Sequence, residues 1–253
     1  MDDRPFWSKI RPMVKSLPVL VFFLLLVIPS RADATNDAVS SAPAGADAGS
    51  PANVIKVPND WGLGSDGTPQ DFASYQNRIG ELHAPGGEAY ILPVCLPTLP
   101  PGQQFKTVHF RVQLVGISKE SGANTLGNAD LYAIGVRDTY KVLPTDYFQG
   151  PGPDPKATLL QANFLTPDSK VRTDPMTGPF AETSAAGDAA LTKYFNDAYA
   201  NGAHAGKYVF LRVSYDVDPI PPGNNAYQVL TSAAGGDNEP PLITYTTGPA
   251  PKN

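Results

Sequence analysis

The sequence predicts a mainly all-β protein, a jelly-roll-like antiparallel β-sandwich with one short helix packed on it. Three observations predict it. About eight short apolar or alternating segments are separated by connections rich in proline and glycine, of which the 253 residues hold 27 and 23; that is how strands joined by turns are punctuated. Only one soluble segment, Asp188–Ala200, carries a helical period. The third is Lys207–Val217, KYVFLRVSYDV. Val209, Leu211, Val213, Tyr215 and Val217 fall on one face at period two, and Tyr208, Phe210, Arg212, Ser214 and Asp216 on the other. The second face carries two aromatics and an arginine where water-facing residues are expected. Either a helix or loop covers it, or it binds something.

The chain begins with an address. Arg4, Lys9, Arg11 and Lys15 precede the apolar run Leu17–Ile28, and Ala32-Asp33-Ala34 offers an Ala-x-Ala cleavage site. That order reads as a secretory signal peptide over residues 1–34. The apolar core is shorter than the roughly 20 residues a membrane span needs, which favours cleavage over a retained anchor. Cleavage after Ala34 leaves 14 basic against 21 acidic residues, a net charge of −7. Such a surface argues against nucleic acid or anionic membrane as partner, because both need clustered Lys and Arg. Cys95 is the only cysteine, so no disulfide framework exists; it reads as a small core residue. About 200 residues supply the core that a disulfide-free secreted domain needs.

Residues 35–53, rich in Ala, Gly, Ser, Asp and Pro, read as a flexible linker. Val54–Val57 is a short strand stopped by Pro58. Asn59–Gln70 is turn material; its Gly62-x-Gly64-x-x-Gly67 matches the dinucleotide fingerprint but lacks the strand before and the helix behind that the motif requires. Glu88–Leu96 reads as a strand apolar on both faces, with Pro93 marking an edge or bulge. Phe105–Ile117 reads as the longest strand, Phe110, Val112 and Leu114 inward, His109, Arg111 and Gln113 outward. Leu131–Val136 and Ala157–Leu165 are further strands, and Thr166–Ala186 is a long polar loop. In the helix, Leu191, Tyr194, Phe195 and Ala198 recur at i, i+3, i+4, i+7, with Asp188 at its start and Asn201-Gly202 at its end. It is expected to pack over Tyr208 and Phe210. Ala226–Ser232 and Pro241–Thr247 close the sandwich, which spans 54–247, with 248–253 as a disordered tail.

Three segments, taken as a series, resemble the DNRLRE, or disaggregatase-related, domain. AYILPVCLPTLPPGQQFKTVHFRVQLVG (Ala89–Gly116) is similar to that family's entry, a strand running through a proline-glycine turn into a second strand. KYVFLRVSYDV fits its late central strand, and AYQVLTSAAGGDNEPPLITYT (Ala226–Thr246) its last two. The sequence departs from the family in two places. Trp61 is the only tryptophan after the leader and lies outside the family's position, and Ala233–Gly236 lacks the usual glutamate. The resemblance implies a secreted, non-catalytic jelly-roll sandwich, often attached to polysaccharide-degrading enzymes and in some members binding carbohydrate.

Catalytic signatures are absent. There is no G-x-S-x-G elbow, His83, His109 and His204 have no zinc-ligand spacing, and the five glutamates are scattered. Calcium is the one cofactor the residues suggest, because it takes loop carboxylates and carbonyls. Asp216 and Asp218 with Asp237, Asn238 and Glu239 form one candidate group, and Asn124, Asn128 and Asp130 another. Sugar binding by a β-sandwich needs aromatic rings to stack on and polar groups for hydroxyls. Trp61, Tyr132, Tyr140, Tyr147, Tyr208 and Tyr227 are candidate stackers; Trp61 and Tyr147-Phe148 are best placed, in polar loops where burial is not otherwise required. The expectation is a secreted or cell-surface, non-catalytic module that binds polysaccharide or another cell-surface component. The rival is a structural or adhesive protein-binding domain, and a polysaccharide hydrolase or lyase is the third reading.

Overall fold

The structure is a computed structural model that describes residues 53–57, 60–64, 67–70, 76–81, 87–119, 126–148, 154–174, 176–216, 223–234 and 239–251. The expected signal peptide and nearly all of the expected linker lie outside the described residues. Within them, the strands are β1 (Asn53–Lys56), β2 (Trp61–Gly64), β3 (Pro69–Gln70), β4 (Gln76–Glu81), β5 (Glu88–Cys95), β6 (Gln103–Val112), β7 (Leu114–Ser118), β8 (Ala129–Arg137), β9 (Thr158–Leu165), β10 (Ala181–Glu182), β11 (Tyr208–Tyr215), β12 (Asn225–Leu230) and β13 (Leu242–Pro249). One helix, α1 (Ala185–Ala200), precedes β11. The small sheet has the order β1-β13-β6-β10. The large sheet has the order β7-β12-β4-β5-β11-β8-β9, and β2 joins it through β5 with β3 paired behind. The pairings are antiparallel. The fold is an all-β sandwich.

The two sheets bury one main core between them. Tyr90, Leu92 and Val94 of β5 and Val209, Leu211 and Val213 of β11 face Phe105, Val108 and Phe110 of β6 and Ile243 of β13. These side chains alternate along their strands, as period-two patterning requires. Each fully buried aliphatic contributes roughly 1.5–3 kcal/mol.

Several boundaries differ from the sequence reading. The expected strand Phe105–Ile117 is two strands, β6 and β7, in different sheets. The chain crosses between sheets at Gln113, which is fully buried rather than outward-facing. Its side-chain oxygen accepts from Arg172 Nη1 at 3.1 Å and its carbonyl accepts from Leu230 N at 2.9 Å. Trp61–Gly64 is not turn material but a strand, and β3 folds back on it as a hairpin where the dinucleotide motif would need a helix. Pro93 is tolerated because the β2 side of β5 is paired only as far as Ile91. The last strand runs two residues past the expected Thr247, to Pro249, opposite Gln103.

The helix begins at Ala185, with Ser184 as N-cap accepting from Gly187 N at 3.2 Å. It does not cover Tyr208 and Phe210. It packs on β6 and β9, and its polar side chains finish the edge of β6 that β10 leaves unpaired. Val108 N donates to Thr192 Oγ1 at 2.7 Å. Phe105 N donates to Asn196 Oδ1 at 3.0 Å, and Asn196 Nδ2 donates to Phe105 O at 2.9 Å. An open strand edge is an invitation to pair with another chain, and here helix side chains close it. No helix among the described residues is long and apolar enough to cross a membrane.

Candidate functional site

The outer face of the large sheet is where the second face of β11 lies, and a loop covers it. Phe210 packs with Leu63 of β2, Ala89 and Ile91 of β5, and Val142 from the connection after β8. Trp61, Ile134, Tyr147 and Tyr208 pack against this second, smaller cluster. Gly135, at φ +126, is opposite Phe210, where the β8–β11 register shifts by one residue. A positive φ favours glycine, and the bulge keeps Tyr132 facing Arg212 across the strands.

Arg212 is the largest fully buried side chain described, at 1% exposure. Its Nη1 donates to the Asp146 carbonyl and to Asp154 Oδ2, each at 3.0 Å, and its Nε to Ser214 Oγ at 3.2 Å. The guanidinium lies 5.1 Å from the Tyr132 ring centre and 5.8 Å from that of Phe148. Burial lowers its proton affinity, opposed by the Asp154 carboxylate. A second arginine repeats the device. Arg137 lies 4.1 Å over the Phe210 ring and pairs with both carboxylate oxygens of the buried Asp146. Asp146 also accepts from Leu143 N at 2.8 Å, which fixes the turn Pro144–Asp146. Two arginines thus hold Asp146 and Asp154 against the sheet. At the far end, burial first and then the Asp130 carboxylate push the Tyr132 hydroxyl up to about 12, so it remains a donor to Asp130 at 3.0 Å.

The rim of this face is aromatic. Tyr140, 48% exposed, meets Tyr208 edge-on at 6.0 Å between ring centres. Lys207, beside Tyr208, pairs with Asp138 at 3.1 Å. Trp61, Tyr147 and Phe148 are half-buried. Of the sequence candidates, Trp61, Tyr140, Tyr147, Tyr208 and Phe148 therefore gather on one face. Trp61 does so from a strand instead of a polar loop. Tyr132 and Tyr227 do not join them as stackers, because both are buried, and the Tyr227 hydroxyl donates to Gly127 O at 2.8 Å.

Some of the calcium candidates can be placed. Asp218, Asp237, Asn238 and Asn124 lie outside the described residues. Glu239 pairs with Arg111 at 2.6 Å on the small sheet's side. Asp216 instead lies near Asp130 of the other group: burial and that carboxylate raise its proton affinity. Among the described residues, no three His, Cys, Asp or Glu side chains converge as metal ligands.

Other clefts lie beside α1. One of ≈790 Å³ runs between Lys106, Thr107, Thr192 and Asn196, and one of ≈580 Å³ continues past Gln103, Tyr199 and His204. Their polar groups are engaged in the fold: Asn196 and Thr192 cap β6, Asp188 binds His109 at 3.0 Å, and Lys193 pairs with Asp197. Size alone therefore does not make these clefts the better site.

Sequence reasoning missed Asp146, Asp154 and Arg137, and the buried Asp60. Asp60 accepts from the Tyr90 hydroxyl and from Ser232 N at 3.0 Å, and burial raises its proton affinity. The one sequence signal on this face was Arg212, at an alternating position of a strand, and it marked none of these four. No protein-family model matches the chain, and comparison with curated proteins finds no match.

Proposed function

We propose that the protein is an exported, non-catalytic β-sandwich module that binds carbohydrate on the outer face of its large sheet. The observation that supports this reading is the gathering of Trp61, Tyr140, Tyr147, Phe148 and Tyr208, drawn from three separate stretches of chain, on one face. Aromatic rings offer flat apolar surfaces that match the C–H faces of pyranose sugars, and phenol hydroxyls and loop polar groups bond the sugar hydroxyls. The likeness to disaggregatase-related domains points the same way. A glycan array probed with the chain from Thr35 onward, with and without calcium, tests it. Binding to polysaccharide is the expected result, the calcium arm asks whether the acidic loop groups take part, and a blank array in both conditions would sink the reading.

A second reading, docking of another protein, draws on Leu159, which is 48% exposed on β9 at the end of the large sheet. An exposed edge strand with an apolar residue can accept a partner's strand. A blank array together with capture of a defined surface protein would favour it.

A further inference from the structure

Resting on the carbohydrate reading, we infer that the ligand is a neutral polysaccharide, not an acidic one. An acidic sugar needs a cation free to meet its carboxylate or sulfate. Three of the cations that border the aromatic face are already matched. Arg212 is held by Asp154, Arg137 by both oxygens of Asp146, and Lys207 by Asp138. In the first two pairs the aspartate is itself buried or nearly so, with side chains 10% and 2% exposed. Turning either arginine toward a ligand would strand a buried carboxylate, which is costly. Both guanidinium groups are also fixed against rings, Arg137 at 4.1 Å over Phe210 and Arg212 between Tyr132 and Phe148. Lys141, next to Tyr140, is exposed and has no carboxylate partner among the described residues. A single solvated ammonium adds little to affinity at physiological salt. The whole-chain balance acts in the same direction. At a formal net charge of −5 the protein as a whole repels polyanions at long range.

The face is thus chemically a set of flat rings whose buried charges are internally neutralised. That suits a sugar recognised by stacking and hydroxyl hydrogen bonds and disfavours one recognised by charge. Affinity electrophoresis of the protein tests this, in gels holding galactomannan or xyloglucan as neutral polymers, or polygalacturonate or alginate as acidic ones. Runs at about 20 mM and about 300 mM salt bracket the range in which screening becomes strong. The expected result is retardation by a neutral polymer that changes less than about twofold between the two salts. Tyr140→Ala should weaken it by roughly fivefold to tenfold. Stronger retardation by an acidic polymer, lost at high salt and in Lys141→Ala but still reduced by Tyr140→Ala, would overturn the neutral assignment and leave the aromatic face standing. No retardation in any gel would overturn both.

Discussion

The two faces of β11 are built on different principles. Inward, Val209, Leu211 and Val213 fill space in an apolar core. Outward, Phe210 and Arg212 are just as buried, yet Arg212 is placed by directional bonds to Asp154 and to the Asp146 carbonyl. Filling by volume tolerates a change of shape, because neighbouring side chains can shift. A buried ion pair does not tolerate loss of one partner, because the other is left charged without water. The outer face can therefore hold residues 138–148 in one position and present their aromatics, which the inner face has no means to do.

Removing the arginine breaks the comparison most strongly. Arg212→Met, which keeps much of the volume, should cost about 3–5 kcal/mol in urea unfolding. Asp154→Asn added to it should cost less than it does alone. Asp60→Ala comes next. It is the polar anchor at the rim of the inner face, and removing it leaves the buried Tyr90 hydroxyl without its acceptor, at about 1–3 kcal/mol. Its effect has a pH sign. The folded-state pKa of Asp60 is raised above its ordinary value. Its contribution is therefore fully present below the unfolded pKa and is lost as pH rises through the folded pKa. The stability gap between the wild type and Asp60→Ala should narrow as pH rises from acid toward neutral; a gap that widens instead would contradict the burial assigned to Asp60. Leu211→Met, a change of similar length on the inner face, should cost less than about 1.5 kcal/mol by the same measurement. The smallest effect on stability belongs to Tyr140→Ala, within about 0.5 kcal/mol because the side chain is about half exposed.

What the sequence disclosed, and what it hid, follows from how far each cause reaches along the chain. Strand alternation is local, so β5, β8, β11, β12 and β13 were legible within a few residues. The break at Gln113 was not, because β6 and β7 continue one alternation and only the other sheet decides where the chain crosses. Trp61–Gly64 is four residues long with two glycines, too short for a period to register. The helix was legible but its seat was not: Thr192 and Asn196 look like solvent-facing residues until the bare edge of β6 lies beside them. At the site, the aromatic residue types were visible in advance. Arg212 was visible as an anomaly, while its counter-charge and carbonyl partner lie 58 and 66 residues away in sequence. Nothing local marks Asp154 and Asp146 as anything but loop acids.

Trp61 gives the central claim its most direct test. Trp7 and Trp61 are the only tryptophans, so a Trp7→Phe protein reports from the aromatic face alone. Its emission should shift saturably on titration with a neutral polysaccharide, and Tyr140→Ala in the same background should move the midpoint to roughly fivefold to tenfold higher polymer. Binding that registers by electrophoresis while Trp61 emission stays unchanged, with Tyr140→Ala as tight as its parent, would contradict the claim and move the ligand to the clefts beside α1.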